Sequence, residues 1–286
     1  MAATVDDGAV RGTSDWMAAV RAEEYERPDR CLADPYAHLL ADDAARAGVA
    51  RLRAVGAPIG IMIGRGRFGD EVLRRAAAEG VRQAVSLGAG GDTRAYRAGL
   101  GPDFTFYELD LPGQLTAKER TLSAAGVRPT CRRVAVEADL RGPWAEALRA
   151  AGFTAARPTV WIAEGLFYYL HRPAALALAA EIDALGAPGS HLVFDVPDLA
   201  FRDDPRYAGF LAHMTGRGSP FVGFVGDPGD LLRGLGLRYE AYGADDLAEG
   251  RCPWLPPLPE RITSGHRLLW CVHAWRPAPG GREPLP

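Results

Sequence analysis

The chain has little of what marks a secreted, metal-held or nucleic-acid-binding protein. Only four cysteines occur in 286 residues, and Cys31, Cys131, Cys252 and Cys271 stand far apart without C-x-x-C or Cys/His spacing. That removes a disulfide framework and a zinc site, and no metal is expected. No apolar run is long enough to span a bilayer, and Met1 to Asp15 lacks the basic-then-apolar order of a secretory signal, so the cytoplasm is the expected compartment. No dense Lys/Arg block is present and the formal net charge is −3. The electrostatic drive toward nucleic acid or an anionic membrane is therefore missing, and a small molecule or a protein is the expected partner.

What is present is apolar material, 48% of the residues, enough for one large core. The first sixty or so residues read as mainly helical. After a frayed start to about residue 14, Ser14 or Asp15 is placed to cap a helix through Trp16 to Glu23, with Trp16, Ala19, Val20 and Glu23 on one face, and Pro28 stops it. Asp34-Pro35 turns the chain into a second helical stretch around His38 to Leu40, and Leu52 to Val55 continues the pattern as far as Pro58. A third helix spans Phe68 to Glu79, with Gly80 at the position a helix-ending glycine prefers.

From Val81 the pattern changes. Strands are expected at Gln83 to Gly88, Thr105 to Asp110, Arg133 to Ala138, Thr159 to Ala163, His191 to Val196, Leu237 to Ala241 and Leu268 to Ala274. Helices are expected at Leu115 to Ala125, Pro143 to Ala150, Pro173 to Leu185 and Asp227 to Leu235. Apolar strands alternating with helices imply an α/β fold, a doubly wound, mostly parallel seven-stranded sheet covered on both faces. The stretch from Pro197 to Pro228 reads as irregular and aromatic, an insert after a late strand that lies over the carboxyl ends of the sheet as a lid. The whole reads as a single domain: helical cap 1–64, ligand-binding core 65–196, lid-like insert 197–230, C-terminal strands 231–276 and flexible tail 277–286.

The stretch Val85-Ser86-Leu87-Gly88-Ala89-Gly90-Gly91-Asp92-Thr93-Arg94 is a buried strand, a tight turn and a helix start, the usual ligand site of a parallel sheet. Glycines such as Gly88 and Gly90 let backbone approach a ligand that a Cβ would hold away. A dinucleotide fingerprint would need a third glycine where Thr93 stands, and the Asp92 carboxylate would repel a pyrophosphate at that helix start. A cationic nucleoside fits better. S-adenosylmethionine carries a sulfonium, an ammonium and a ribose with two hydroxyls. Glu108 and Asp110 share one face of the second strand about 20 residues after the turn, where an acid accepts ribose hydroxyls, so one serves the ribose and the other is structural. Asp139-Leu140 offers an acceptor and a backbone N–H suited to adenine. Glu164, emerging after Val160-Trp161-Ile162-Ala163, is an anion placed to neutralise an ammonium.

These residues, taken together, resemble the leucine carboxyl methyltransferase family. The motifs are Leu87 to Arg97 around the glycine turn, Glu108-Leu109-Asp110-Leu111-Pro112 with Lys118, Ala138-Asp139-Leu140, and Ala163-Glu164-Gly165 with Tyr169-Leu170. Within the family the chain looks most like the bacterial polyketide O-methyltransferases of the tetracenomycin type, as do Arg21-Ala22 and Arg30 to Ala37 upstream. The resemblance implies a class I methyltransferase, Rossmann-like fold and S-adenosyl-L-methionine as cofactor, leaving as S-adenosyl-L-homocysteine. It implies cofactor contacts at Arg65 (carboxylate), Gly88, Asp110 (ribose), Asp139 and Leu140 (adenine) and Glu164 (ammonium). Two departures stand out: Arg65-Gly66-Arg67 replaces an Arg-Thr-Arg run, so either arginine is a candidate for the carboxylate, and Gly91 replaces a larger apolar residue, which is expected to loosen the turn.

Methyl transfer is an in-line displacement, so the protein mainly aligns nucleophile and methyl group. A carboxylate acceptor is already anionic at neutral pH, whereas a phenol needs a base. Candidates for acceptor binding are Arg21, Tyr25, Tyr169, His171 and His213, with Tyr168 beside them. Each has a plainer role as helix-face charge, core aromatic or helix flank. His38, like His213, falls in the cap or lid, while His266 and His273 near the last strand are assigned no chemistry. The expected reaction is O-methylation of a small natural product, an aromatic polyketide being the leading acceptor. A protein C-terminal carboxylate and a non-catalytic cofactor-binding module are the alternatives.

Overall fold

Successive side chains of a strand point to opposite faces, and here both faces are covered. Val85, Leu87, Tyr107, Leu109, Trp161 and Ala163 pack into one buried apolar cluster, while their neighbours Ala84, Phe106 and Ile162 pack into another with the N-terminal helices. This is why the central strands read as mostly apolar. The computed structural model describes residues 6–262 and 268–278; His266 and the tail beyond residue 278 lie outside them. Its strands are β1 (Gln83–Leu87), β2 (Thr105–Asp110), β3 (Arg132–Glu137), β4 (Val160–Ala163), β5 (His191–Pro197), β6 (Arg238–Gly243) and β7 (Leu269–Trp275). They form one sheet in the order β3-β2-β1-β4-β5-β7-β6, with β1 to β5 parallel and β7 antiparallel to both its neighbours. All seven strands lie within two residues of their expected bounds. The order reverses between β1 and β4, which opens a crevice beyond their carboxyl ends.

The helices are α1 (Asp7–Glu26), α2 (Ala37–Leu40), α3 (Asp43–Ala54), α4 (Gly60–Ala78), α5 (Arg94–Arg97), α6 (Gln114–Ala124), α7 (Trp144–Ala150), α8 (Arg172–Leu185), α9 (Leu199–Asp203), α10 (Ala208–Gly216) and α11 (Ala244–Ala248). None is long and apolar enough to cross a membrane among the described residues.

Four expectations change. Helix α1 begins at Asp7, so Ser14 and Asp15 sit inside it and do not cap it. Helix α4 begins at Gly60, eight residues before the expected start, and crosses the division placed between residues 64 and 65, so one rigid element joins cap to core. Its end is as expected, with Gly80 at φ +100 and the N–H of Val81 donating back to the carbonyl of Ala76. The helix expected over 227–235 is only a short 3-10 turn at Pro228–Leu231, because Pro228 and Gly229 open it and Gly234, at φ +82, breaks it. The insert is not irregular. It holds α9, α10 and the 3-10 turn Pro205–Tyr207, organised by Phe201, Tyr207, Phe210 and Phe221, whose rings meet within about 6 Å of one another.

Buried charge beneath the site is paired. Glu108 of β2 is fully buried and accepts from Arg133 Nε at 2.7 Å, with Lys118 Nζ at 3.0 Å. Lys118, the single lysine of the chain, also donates to the carbonyl of Asp92 at 2.8 Å. Of the two acids on that face, Glu108 is therefore the structural one. On β5 and β7, His191 and His273 stack with Nδ1 and Nε2 at 3.0 Å, and His273 Nδ1 lies 3.1 Å from Glu240. Burial and the neighbouring His273 push His191 down to about 3, so it stays neutral. These are satisfied core histidines.

Removing one partner of a buried ion pair leaves an uncompensated charge. Lys118→Met is expected to lower unfolding free energy by about 2–4 kcal/mol in urea titrations, and adding Glu108→Gln to restore much of the loss. An unchanged midpoint for Lys118→Met would show that Arg133 alone satisfies Glu108.

Candidate functional site

Beyond the tips of β1, β2 and β4 lies a cavity of about 190 Å³. Two further cavities hold about 30 and 10 Å³, too little for a nucleoside. Its floor is the turn from Ser86 to Asp92 with Asp110, Glu164, Gly165, Arg65 and Arg94; its roof is apolar, from α1, α4 and the insert.

The turn is bent by Gly88 (φ +64) and Gly90 (φ +42). Asp110 completes it: Oδ2 accepts from the N–H of Gly90 at 2.6 Å and Oδ1 from that of Leu111 at 2.7 Å. Helix α1 lies on the turn's outer side. Ser14 Oγ accepts from the N–H of Gly91 at 2.7 Å, and Arg21 Nη2 donates to the carbonyl of Gly91 at 2.6 Å while its Nε pairs with Asp34 at 2.9 Å. Both backbone groups of Gly91 are thus tied to the cap, and the turn is held where the extra glycine was expected to loosen it. A Cβ on Gly90 would run into the Ser14 hydroxyl.

Arg94, nearly fully buried, joins three elements. It donates from Nε to Asp70 of α4 at 2.7 Å, from Nη1 to Asp92 at 3.1 Å, and from Nη2 to Glu164 Oε1 at 2.7 Å and the carbonyl of Gly66 at 3.0 Å. Gly69 makes room for this, since a Cβ there would overlap the Glu164 carboxylate. Burial alone would raise Asp92, but Arg94, Arg97 and Lys118 outweigh it and hold the carboxyl down at about 2. Glu164 goes the other way: burial, with Asp92 adding to it, raises its pKa despite Arg94. Arg65 pairs with Asp195 of β5 at 3.1 Å and lies over the Tyr168 ring, its guanidinium centre 5.7 Å from the centroid.

Seven of the residues singled out in the sequence line the cavity together: Arg65, Gly88, Gly90, Asp110, Glu164, Arg21 and Tyr169, with Tyr168 beside them. Arg67 does not. Two positions along α4 turn it about 200° away from Arg65, where it pairs with Glu71 at 3.4 Å. Asp139 and Leu140 are also outside the lining: the Asp139 carboxylate folds back onto its neighbour Arg141, with Oδ2 at 2.7 Å from Nη2, and Leu111 and Gln114 line the cavity beside Asp110. Tyr25 packs under Arg30 away from the cavity, and His171 is exposed at the start of α8 with no capping bond. His213 belongs to α10, which turns Phe210 and Met214 into the cavity but not the imidazole. Sequence reasoning missed the roles of Ser14, Asp70, Arg94 and Asp195. Of these, Arg94, a cation just after an acidic glycine turn, and Asp195, an acid inside an apolar strand, carried a sequence signal.

The sheet order, the crevice at its reversal and the acid-tipped glycine turn define a class I methyltransferase architecture. A solved methyltransferase of Thermobifida fusca superposes with a TM-score of 0.62 at 17% identity, covering 93% of this chain and 94% of its own, a likeness of fold. Residues 15–183 match the leucine carboxyl methyltransferase family, and this chain belongs to it. A Saccharopolyspora erythraea relative with S-adenosyl-L-methionine-dependent methyltransferase in its name is 39% identical over 253 residues, covering 82% of this chain and 85% of its own. A Streptomyces coelicolor relative of like name is 41% identical over 217 residues, covering 70% and 72%.

A carboxyl held below 3.8 adds stability above that pH and loses it as pH falls through the folded value. Asp92→Asn is therefore expected to cost about 2 kcal/mol at pH 7, with the gap to the unmodified chain closing between about pH 4 and 2. Urea unfolding across that range checks it, and a gap independent of pH would contradict it.

Proposed function

We propose that this chain is a cytoplasmic S-adenosyl-L-methionine-dependent O-methyltransferase acting on a carboxylate, or on a hydroxyl that ionises as readily, of a small aromatic natural product such as a polyketide. The observation that carries the proposal is the pair of opposite charges set on either side of Gly165. Arg65 would hold the cofactor's carboxylate, Glu164 its ammonium, Asp110 the ribose hydroxyls, and Leu111 and Gln114 would border the base. The residues fit the group: Gly88 and Gly90 give it bare backbone, and Glu164 brings a carboxylate to the wall. When bound, the cofactor supplies a methyl group on a sulfonium leaving group.

The protein's part is alignment and exclusion of water. The roof over the turn is built from Trp16, Met17, Val20, Met62, Phe210 and Phe221, which suits a flat apolar body. Among the described residues lining the cavity none is a histidine, lysine or cysteine. Tyr168 and Tyr169 are both raised by burial and stay protonated. Asp92 and Glu164 are engaged by Arg94, and Asp110 by backbone N–H groups. This wall offers no ready base, which favours an acceptor that arrives as an anion. Closure by α1 and α10 favours a small acceptor over a peptide terminus.

Titration calorimetry is expected to show micromolar S-adenosyl-L-homocysteine binding. A buried acid with a raised pKa stabilises the fold while protonated, below about its unfolded value, and that stability is lost as pH rises through its folded pKa. Ionising Glu164 therefore works against folding. Glu164→Gln is expected to hold or raise the melting temperature at pH 7 while weakening S-adenosyl-L-homocysteine by at least roughly tenfold; retained affinity would remove Glu164 from the site. With labelled cofactor and a panel of aromatic acids and phenols, turnover of an aromatic acid should be flat from about pH 6 to 9, above its carboxyl pKa. A rate climbing with pH across that range would point to a base.

A further inference from the structure

We propose that Asp195 is the positioning residue for the amino-acid end of this cofactor site, setting Arg65 directly and Glu164 through the backbone of Gly165. The inference rests on the reading of the cavity given above. Asp195 lies on β5, is buried, and collects partners from three separate elements. Its Oδ1 accepts from the N–H of Gly165 at 2.7 Å; its Oδ2 accepts from the Tyr168 hydroxyl at 2.5 Å and from Arg65 Nη1 at 3.1 Å.

Gly165 is the joint between the two poles. It sits at φ +67, and a Cβ there would stand 3.0–3.3 Å from the Arg65 guanidinium. The corner after β4 is thus pinned by Asp195 on its N–H and faced closely by Arg65. Glu164, one residue earlier, takes its place from that corner. Asp195 takes Arg65 at Nη1 and the Tyr168 side chain also meets the guanidinium, two partners for a group with five N–H donors, so donors remain for a ligand carboxylate. A buried carboxylate is tolerated only with charged or donating partners, and here those partners are the cation of the site and the hinge of its anion.

The test compares two ligands that share the adenosine thioether and differ in the amino-acid end: S-adenosyl-L-homocysteine, which has it, and 5′-methylthioadenosine, which does not. By calorimetry, Asp195→Asn is expected to weaken the first on the order of tenfold to a hundredfold and to change the second by less than about twofold. Tyr168→Phe, which deletes one oxygen from the cluster, is expected to weaken S-adenosyl-L-homocysteine by about twofold to tenfold, again sparing 5′-methylthioadenosine. It keeps the test open if Asp195→Asn does not fold. Equal losses for both ligands, or an unaltered affinity for S-adenosyl-L-homocysteine, would overturn the positioning role while leaving the cofactor reading in place. An unmodified protein that binds neither ligand would overturn both.

Discussion

One buried guanidinium holds the site together. Arg94 binds carboxylates from α4, from the glycine turn and from the tip of β4, and a charge so far from water is stable only with its partners in place. The three elements therefore cannot move independently. Its second effect is electrostatic. Arg94 and Arg97 face Asp70, Asp92 and Glu164. Glu164 is the acid of the three whose pKa is raised, by burial first and by Asp92 in addition, and Glu164 is in the cavity wall.

That changes the electrostatic reason for a cationic ligand. Read along the chain, Asp92 was the anion that would repel a diphosphate. In the fold its charge is met by Arg94, with Lys118 and Arg97 near it, and little of it is left to act on a ligand. Glu164, 72 residues further along the chain, shares Arg94 but is the acid whose pKa burial raises, and in the proposed function the cation falls to it. Local sequence cannot show such a transfer, because it depends on which cation each acid meets.

The central sheet was legible because a strand buried on both faces is mostly apolar, as Val85, Tyr107, Trp161 and Phe194 show. The strand tips were legible for the same reason, since Asp110 and Glu164 interrupt apolar runs where chemistry is expected. Helix α4 was not. Gly60, Gly64, Gly66 and Gly69 lower helix propensity, yet close packing puts them there: Gly60 meets the backbone of Arg261 and Ile262, and Gly69 meets Glu164. Asp139 stands outside the cavity lining because it has an arginine two residues away, and a short-range pair forms at little entropic cost. Asp195 interrupts an apolar run too, but in mid-strand between Phe194 and Val196, and its partners Arg65 and Gly165 lie far along the chain.

The cap and the cofactor turn are best treated as one device. Ser14 and Arg21 grip Gly91 by its N–H and its carbonyl, and between them on the same helix Trp16, Met17 and Val20 form part of the chamber roof. A Cβ at position 91 would meet Ser14 Oγ at 3.4 Å and Arg21 Nη2 at 3.5 Å, ordinary contact, but a longer side chain would reach into the clip. Glycine at 91 therefore lets α1 sit down on the turn. It follows that the wall facing the acceptor and the latch on the cofactor turn belong to one rigid helix, so a change of acceptor shape that shifts α1 also disturbs cofactor retention. The other side of the chamber, at Phe210, Met214 and Phe221, is not independent of α1 either, since Arg217 of the insert lies over the Trp16 ring and the carbonyl of Gly218 accepts from the N–H of Asp6.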